Sequence, residues 1–382
     1  MRILHVLRAP VGGLFRHVAD LAEAQAARGH AVGLVLDSTT GGVEAERALR
    51  RLAPMAKLGI HCVPMSRHLG FSDFNAVRFA AASVRESNAD IVHGHGAKGG
   101  AYARLAETGA LRVYTPHGGT LHYRAASPLG FLYLNLERRL ARRTDLFLFE
   151  SEFGLRVFRE KIGAPHALAR VVHNGVRPDE LVPIVPDDDA EDVVFVGELR
   201  RLKGVDVLIE ALSRLIAEER IESAILFGDG PDAGAYRAEI ERRGLTPHIQ
   251  FGGAKPAREA FKRGRVLAVP SRAESLPYIV LEAAAASVPM VATRVGGIAE
   301  IFGPDAAALV PPEDPAALAE AILRALEGDS AMRTKRLHER IAGQFSVAAM
   351  TDGVLAAYEE ALAARPPRMV KAFIKPSDRN SP

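Results

Sequence analysis

Ser271-Arg-Ala-Glu-Ser-Leu-Pro-Tyr-Ile-Val-Leu-Glu282 follows, after Pro270, on the apolar run Arg265–Val269. The run is short and rich in valine, and it reads as a buried strand. Pro277 fits the first turn of a helix, where its missing N–H costs nothing. A strand, a loop and a helix in that order are one unit of a parallel sheet. Glu274 then falls in the loop and Glu282 in the second helical turn. Free backbone N–H groups, a helix dipole and two carboxylates thus gather at one strand's carboxyl end. Doubly wound sheets place ligands there. The N–H groups and dipole suit a diphosphate, and carboxylates accept hydrogen bonds from sugar hydroxyls. The same spacing also describes a capped surface helix with two solvated acids.

Outward from this unit the pattern repeats. Val193–Val196, Ala224–Phe227, Ile249–Phe251, Met290–Ala292 and Ala307–Val310 read as further strands, with helical segments between most of them. The first half shows the same alternation. Ile3–Leu7 reads as a strand, a helix from Leu14 to Arg28 is closed by Gly29, and Ala31–Leu36 reads as the next strand. Ala89–His93, Arg112–Thr115 and Leu146–Phe149 follow, with a helix from Pro128 to Arg143. The expectation is an α/β chain of two Rossmann-like, doubly wound parallel-sheet domains. Residues 181–192 hold two prolines and an acidic run, which suits an exposed linker. The predicted division is 1–182 and 183–346, then a helix from Val347 to Ala364 and a flexible tail over 365–382.

Bulk properties agree with this reading. The 382 residues suffice for two domains with separate cores, and 48% hydrophobic with 25% charged residues is ordinary globular composition. Cys62 is the single cysteine, so an intrachain disulfide is excluded and a reducing, cytoplasmic setting is expected. Ile3–Leu7 is too short for a signal peptide, and no run of about 18 apolar residues could span a membrane as a helix. Residues 1–182 hold 24 Lys+Arg and 16 Asp+Glu, a net of +8; against +3 for the whole chain, the remainder has −5. A basic first half suits a phosphate-bearing or anionic-lipid partner as well as a plainly solvated surface. Nucleic acid is not an expected partner.

Other loops could join the chemistry. Gly197-Glu-Leu-Arg-Arg-Leu-Lys-Gly204 sets Arg200, Arg201 and Lys203 at a strand end, where cations could meet a departing diphosphate. Gly228-Asp-Gly-Pro-Asp-Ala-Gly234 imitates a dinucleotide fingerprint, but it is one residue too long and Pro231 interrupts it. A tight turn near a base or ribose, through Gly228 and Gly230, is the better use. In Pro10-Val-Gly-Gly13, Gly12 and Gly13 permit close backbone approach to a ligand. His93 and His95 form a His-x-His pair, yet no Glu or Cys completes a zinc-like spacing, so no metal is expected. His117, between Pro116 and two glycines, could touch a reacting sugar. From His122 to Arg143, Leu129, Leu132, Leu136 and Leu140 keep helical spacing among Arg124, Arg138, Arg139, Arg142 and Arg143. Such a helix is either core or a contact with an anionic membrane surface.

Taken in order, these pieces resemble the retaining GT-B glycosyltransferases of family 4. The resemblance runs from the Gly-Gly loop through His117, Val171-Val-His-Asn174-Gly175-Val176, Lys203-Gly204 and Gly228-Asp-Gly-Pro231. It ends with Glu274-(seven residues)-Glu282 and Pro289-Met-Val-Ala-Thr293, so it covers nearly the whole chain. It implies that a hexose-type sugar passes from a UDP- or GDP-sugar to a glycan or polyprenyl-diphosphate-linked acceptor. Anomeric configuration is retained, and the product belongs to cell-surface polysaccharide or glycolipid. It implies no tightly bound cofactor; the expected setting is cytoplasmic, with the basic first half leaving open either a free protein or one peripheral to the inner face of the membrane. Residue by residue, Glu282 would bind ribose, Glu274 the donor sugar, and Lys203 the diphosphate. Backbone at Ser275, Leu276 and Pro277 would approach phosphate or sugar. Gly13 would touch the diphosphate from the first domain, with Gly12 and Asn174 beside the donor, and His117 would lie at the sugar. His117, Lys203 and Glu274 are the expected catalytic set.

One position departs from that pattern. Members often have arginine directly after the glycine of the first loop in the second domain, and here it is Glu198. Either Arg200 or Arg201 could supply the second cation. A nucleotide-sugar epimerase on the same architecture, or a degenerate nucleotide-binding module, are the competing functions.

Overall fold

The computed structural model describes residues 1–67, 70–123 and 126–365. Arg124, and the tail from Pro366 onward, therefore lie outside the described residues. Two sheets are present, and every strand pairing in them is parallel.

The first sheet has seven strands: β1 (Arg2–Val6), β2 (Ala31–Asp37), β3 (Ile60–Val63), β4 (Ile91–His95), β5 (Leu111–Thr115), β6 (Leu146–Phe149) and β7 (Leu168–Val171). Their spatial order is β3-β2-β1-β4-β5-β6-β7. The second has β8 (Glu191–Val196), β9 (Ala224–Phe227), β10 (Ile249–Gly253), β11 (Gly264–Val269) and β12 (Met290–Ala292), in the order β10-β9-β8-β11-β12. The strand order reverses between β1 and β4, and again between β8 and β11. At such switch points the following loops diverge and leave a crevice at the carboxyl ends. The loops that leave β1, β8 and β11 include the Gly-Gly, Lys203 and Glu274 segments.

Both faces of each sheet are covered, as continuous apolar strands require. In the second sheet, Val193 and Phe195 face one core layer while Val194 faces the other. Along β11, Val266 and Ala268 join the first of these layers and Leu267 and Val269 the second, the period-2 alternation of a strand.

The chain ends on the first sheet. Val347 N–H donates to Val176 C=O (2.9 Å), and Val176 N–H donates to Phe345 C=O (2.8 Å). Ser346 Oγ then caps helix Val347–Ala363 by accepting from Ala349 N–H (3.1 Å). Met350, Val354 and Tyr358 of that helix pack on Ile3, Leu21 and Ile91. Beyond it, Arg365 donates to Asp145 Oδ2 at 2.6 Å.

Three features differ from the sequence reading. Ala307–Val310 is not a strand: Gly303–Ala308 is a 3-10 helix, and only Val310 bridges, to Thr293. Leu309 and Val310 are buried without a ladder, and Ala307 and Ala308 are exposed. Conversely, β3 and β7 are edge strands whose part-polar, part-exposed sequences give little alternation. Pro277 stands at the N-cap, one position before helix Tyr278–Ala285.

Candidate active site

The second-sheet wall is built by two loops that touch. Gly204 closes the 3-10 turn Arg201–Lys203 with φ +69°. A Cβ there would lie 2.0 Å from Pro270 O. Only glycine allows both that dihedral and that approach. The approach puts Lys203 Nζ 2.7 Å from Glu274 Oε1, and Ser271 Oγ donates to the same oxygen at 2.7 Å. Gly296 and Gly297 buttress the loop from behind: Gly297 N–H donates to Ser275 C=O (2.6 Å), and a Cβ on Gly296 would strike Glu274 O at 2.1 Å. Helix Tyr278–Ala285 follows, with Glu282 in its second turn.

The first-sheet wall faces it. Gly12 (φ +67°) opens helix Gly12–Ala27, and a Cβ on Gly13 would sit 3.2 Å from the Tyr278 ring. His117 ends the β5 loop in the left-handed region, φ +49°. Asn174 ties the walls together: its Nδ2 donates to Leu276 C=O (3.0 Å), and its Oδ1 meets His17 Nδ1 at 2.9 Å. Ser275 Oγ donates to Glu150, which stands just past β6.

Between the walls lies a cleft of about 500 Å³. Of the residues singled out in the sequence, Gly12, Gly13, His117, Asn174, Lys203, Glu274, Ser275, Leu276, Pro277 and Glu282 all line it. Four do not. Arg200 turns to Glu198 (3.4 Å), and Arg201 is held at its backbone, its N–H by Asp232 and its carbonyl by Arg272. Gly228 and Gly230 instead let β9's loop pack on the backbone of Gly197 and Leu199, where a Cβ would meet carbonyl oxygens at 1.8 and 2.4 Å. Arg16, Glu150, Glu198 and Tyr278 also line the cleft without having been singled out as ligands. Glu150 at a strand's carboxyl end, and Arg16 one turn into the Gly-Gly helix, are the signals that could have found two of them.

Charge around Glu282 is paired across the walls. Arg16 of the first sheet reaches Glu282 of the second, donates to both oxygens of Glu180 (2.7 and 2.6 Å), and stacks 4.4 Å from the Tyr278 ring centroid. Burial pushes the Glu282 carboxyl above its ordinary value, and the Arg16 charge opposes this.

Beneath His117 runs a buried imidazole chain. His117 Nε2 meets His95 Nδ1 (3.1 Å), His95 Nε2 meets His5 Nδ1 (3.0 Å), and His5 Nε2 meets Gln25 Oε1 (2.8 Å). With the Gln25 carbonyl as acceptor, each ring in turn must donate through Nε2, which leaves His117 Nδ1 as an acceptor. Burial lowers His5 to about 4 and His17 and His117 to about 3, and holds His93 and His95 well below 6.5. Neutral rings can accept from sugar hydroxyls. Two triads, His5-His93-His95 and His17-His95-His117, bring nitrogen atoms within 4.8 Å of one another, close enough to share a cation. His-x-His is joined not by a Glu or Cys but by His5 and His17, which the fold brings beside it. Every ring nitrogen of His5, His93 and His95 already has a hydrogen-bond partner, so a cation there would have to replace that network.

Known proteins match this architecture in both halves. A family model described as glycosyltransferase family 4 matches residues 11–180, and one described as glycosyl transferases group 1 matches residues 190–328. A D-inositol 3-phosphate glycosyltransferase of Corynebacterium jeikeium is 27% identical over 59% of this chain and 59% of its own length. The chain therefore spans less than two thirds of that relative. One of the same description from Acidothermus cellulolyticus is 27% identical over 93% of this chain and 87% of its own. The solved structure of Anabaena Alr3699/HepE in complex with UDP-glucose shares the fold, with TM-score 0.76 and 21% identity, over 94% of this chain and all of that one. Two matched halves, two parallel sheets and one cleft between them place this chain among the glycosyltransferases of GT-B fold.

Proposed function

We propose that the chain transfers a hexose-type sugar from a UDP- or GDP-sugar to a glycan or polyprenyl-diphosphate-linked acceptor, with retention of anomeric configuration, in the synthesis of cell-surface polysaccharide or glycolipid. One observation supports this above the rest: Gly13 and His117 from the first sheet meet Lys203, Glu274 and Glu282 from the second in a single cleft. A relative solved with UDP-glucose, on the same fold, agrees with the donor class.

The chemistry suits these groups. Transfer builds positive charge at the anomeric carbon and negative charge on the leaving diphosphate. Lys203 and the start of helix Tyr278–Ala285 oppose the negative charge. Glu282 accepts from ribose hydroxyls. Glu274, oriented by Lys203 and Ser271, faces the sugar, and His117 contacts it from the opposite wall. Closure of the walls excludes the water that would hydrolyse the donor.

A lipid-linked acceptor agrees with the surface of the first domain. Leu129, Phe131 and Leu132 open helix Pro128–Ala141 and are more than half exposed, while Leu134 and Leu140 are buried. The helix is thus core towards its end, where Arg138 and Arg139 are exposed in the last turn, and an apolar rim at its start. This rim would rest on the inner face of an anionic membrane. Among the described residues no helix is long and apolar enough to cross one.

Radiolabelled transfer from UDP- and GDP-hexoses to glycan and polyprenyl-diphosphate acceptors, with NMR of the product's anomeric centre, tests the proposal. Product with the donor's configuration is expected. Lys203→Ala should cut turnover on the order of 100- to 1,000-fold, the usual effect of removing one stabilising contact to developing charge. Conversion of the donor without any acceptor, or undiminished turnover in the variant, would contradict it.

A further inference from the structure

Glu198 leaves the proposed diphosphate site one cation short. It lines the cleft where the resemblance expects arginine, and neither Arg200 nor Arg201 reaches in. Among the described residues, Lys203 and Arg16 are the lysine and arginine that line the cleft.

Arg16 is placed to answer this. It sits one turn into helix Gly12–Ala27, directly after the two glycines. Tyr278 holds the plane of its guanidinium at 4.4 Å. Nη2 is fixed by both oxygens of Glu180, and Nη1 is spent on Glu282. The two ends of the fork therefore differ. One is tied to a carboxylate that does not line the cleft. The other is tied to the carboxylate that ribose would claim.

We propose that Arg16 is the second cation for the donor diphosphate, released from Glu282 when ribose hydroxyls take its place. This rests on the nucleotide-sugar reading of the cleft. In the exchange Glu282 trades one donor for hydroxyl donors, and Nη1 trades a carboxylate for phosphate oxygens. No buried polar group is left unpaired, which is the arrangement that avoids a desolvation penalty. Arginine's planar fork keeps Glu180 and phosphate at once, which a lysine cannot do with the same geometry. Because Arg16 belongs to the first sheet and Lys203 to the second, the diphosphate would bridge both walls of the cleft. Donor binding and closure of the cleft would then be one event.

Calorimetric titration of the full chain with UDP, GDP, uridine and guanosine separates the possibilities. Arg16→Gln should weaken the diphosphate about 10- to 100-fold, the scale of one hydrogen bond to a charged group. The matching nucleoside should bind as tightly as before, or more tightly, since Glu282 is freed. Arg16→Lys should fall between wild type and Arg16→Gln for the diphosphate. It also serves if the glutamine variant, which leaves Glu180 short of a partner, melts early. An equal change for nucleoside and diphosphate would overturn the assignment and leave Arg16 only a gate on Glu282, and no change for either would overturn it outright. Wild-type protein that binds neither UDP nor GDP would instead remove the donor reading itself, and the proposal with it.

Discussion

Five imidazoles, of His5, His17, His93, His95 and His117, are packed together, the first four buried and His117 part-buried at the cleft. Burial lowers their proton affinity, so the folded chain binds fewer protons than the unfolded chain just below pH 6.5. Stability from these groups is therefore complete above about 6.5 and is lost as pH falls toward their folded values. His5 at about 4, and His17 and His117 at about 3, give a window from 6.5 down to 4. Each ring contributes about 1.4 kcal/mol per pH unit there, so the three together contribute on the order of 4 kcal/mol per unit. Urea unfolding at about pH 7 and pH 5.5 measures it above the ordinary carboxylate range. A loss of several kcal/mol is expected, and equal stability at the two pH values would show that the rings protonate freely in the native state. Sequence disclosed part of this network. His93 and His95 were visible as a pair and His117 as a strand-end residue, but nothing in the sequence singles out His5 or His17. What joins them is adjacency of β1 and β4 across 90 residues of chain, which no local pattern records.

At the scale of elements, strand and helix identities were legible where the period was strong. Buried strands such as β9 and β12, and the strand-loop-helix unit around Glu274, follow from apolar runs and turn residues. Strands β3 and β7 were not, because their side chains are part-polar and largely part-exposed and so form neither a continuous apolar run nor a clean alternation. The apolar stretch to Val310 misled for the converse reason: burial alone does not make a ladder. Loop geometry was the least legible level. Lys203 reaches Glu274 only because Gly204 is in the left-handed region against Pro270. Gly204→Ala should therefore separate the two loops. Backbone strain of this kind costs about 1–3 kcal/mol, and a Cβ at 2.0 Å from a carbonyl oxygen forces movement besides. Thermal unfolding should show the loss, with donor affinity falling alongside. Unchanged Tm and affinity would mean that the loops tolerate the side chain and do not position Lys203.

The whole molecule makes a site that neither half contains. Gly12, Gly13, Arg16, His117 and Asn174 come from one side, and Lys203, Glu274 and Glu282 from the other. Asn174, Glu150 and Arg16 bond directly across the division, and helix Val347–Ala363 brings the end of the chain back onto the first sheet. On the proposed function, this cleft holds a nucleoside-diphosphate sugar with Glu282 on the ribose. The most direct measurement is thermal unfolding of wild type and Glu282→Ala with UDP, GDP, ADP and their hexose conjugates. A ligand at 100 times its Kd adds about 2.7 kcal/mol to stability, a readily seen shift. One nucleotide and its sugar conjugates should raise the Tm of wild type, and Glu282→Ala should abolish the rise. No stabilisation by any of them, or the same stabilisation in both proteins, would contradict it.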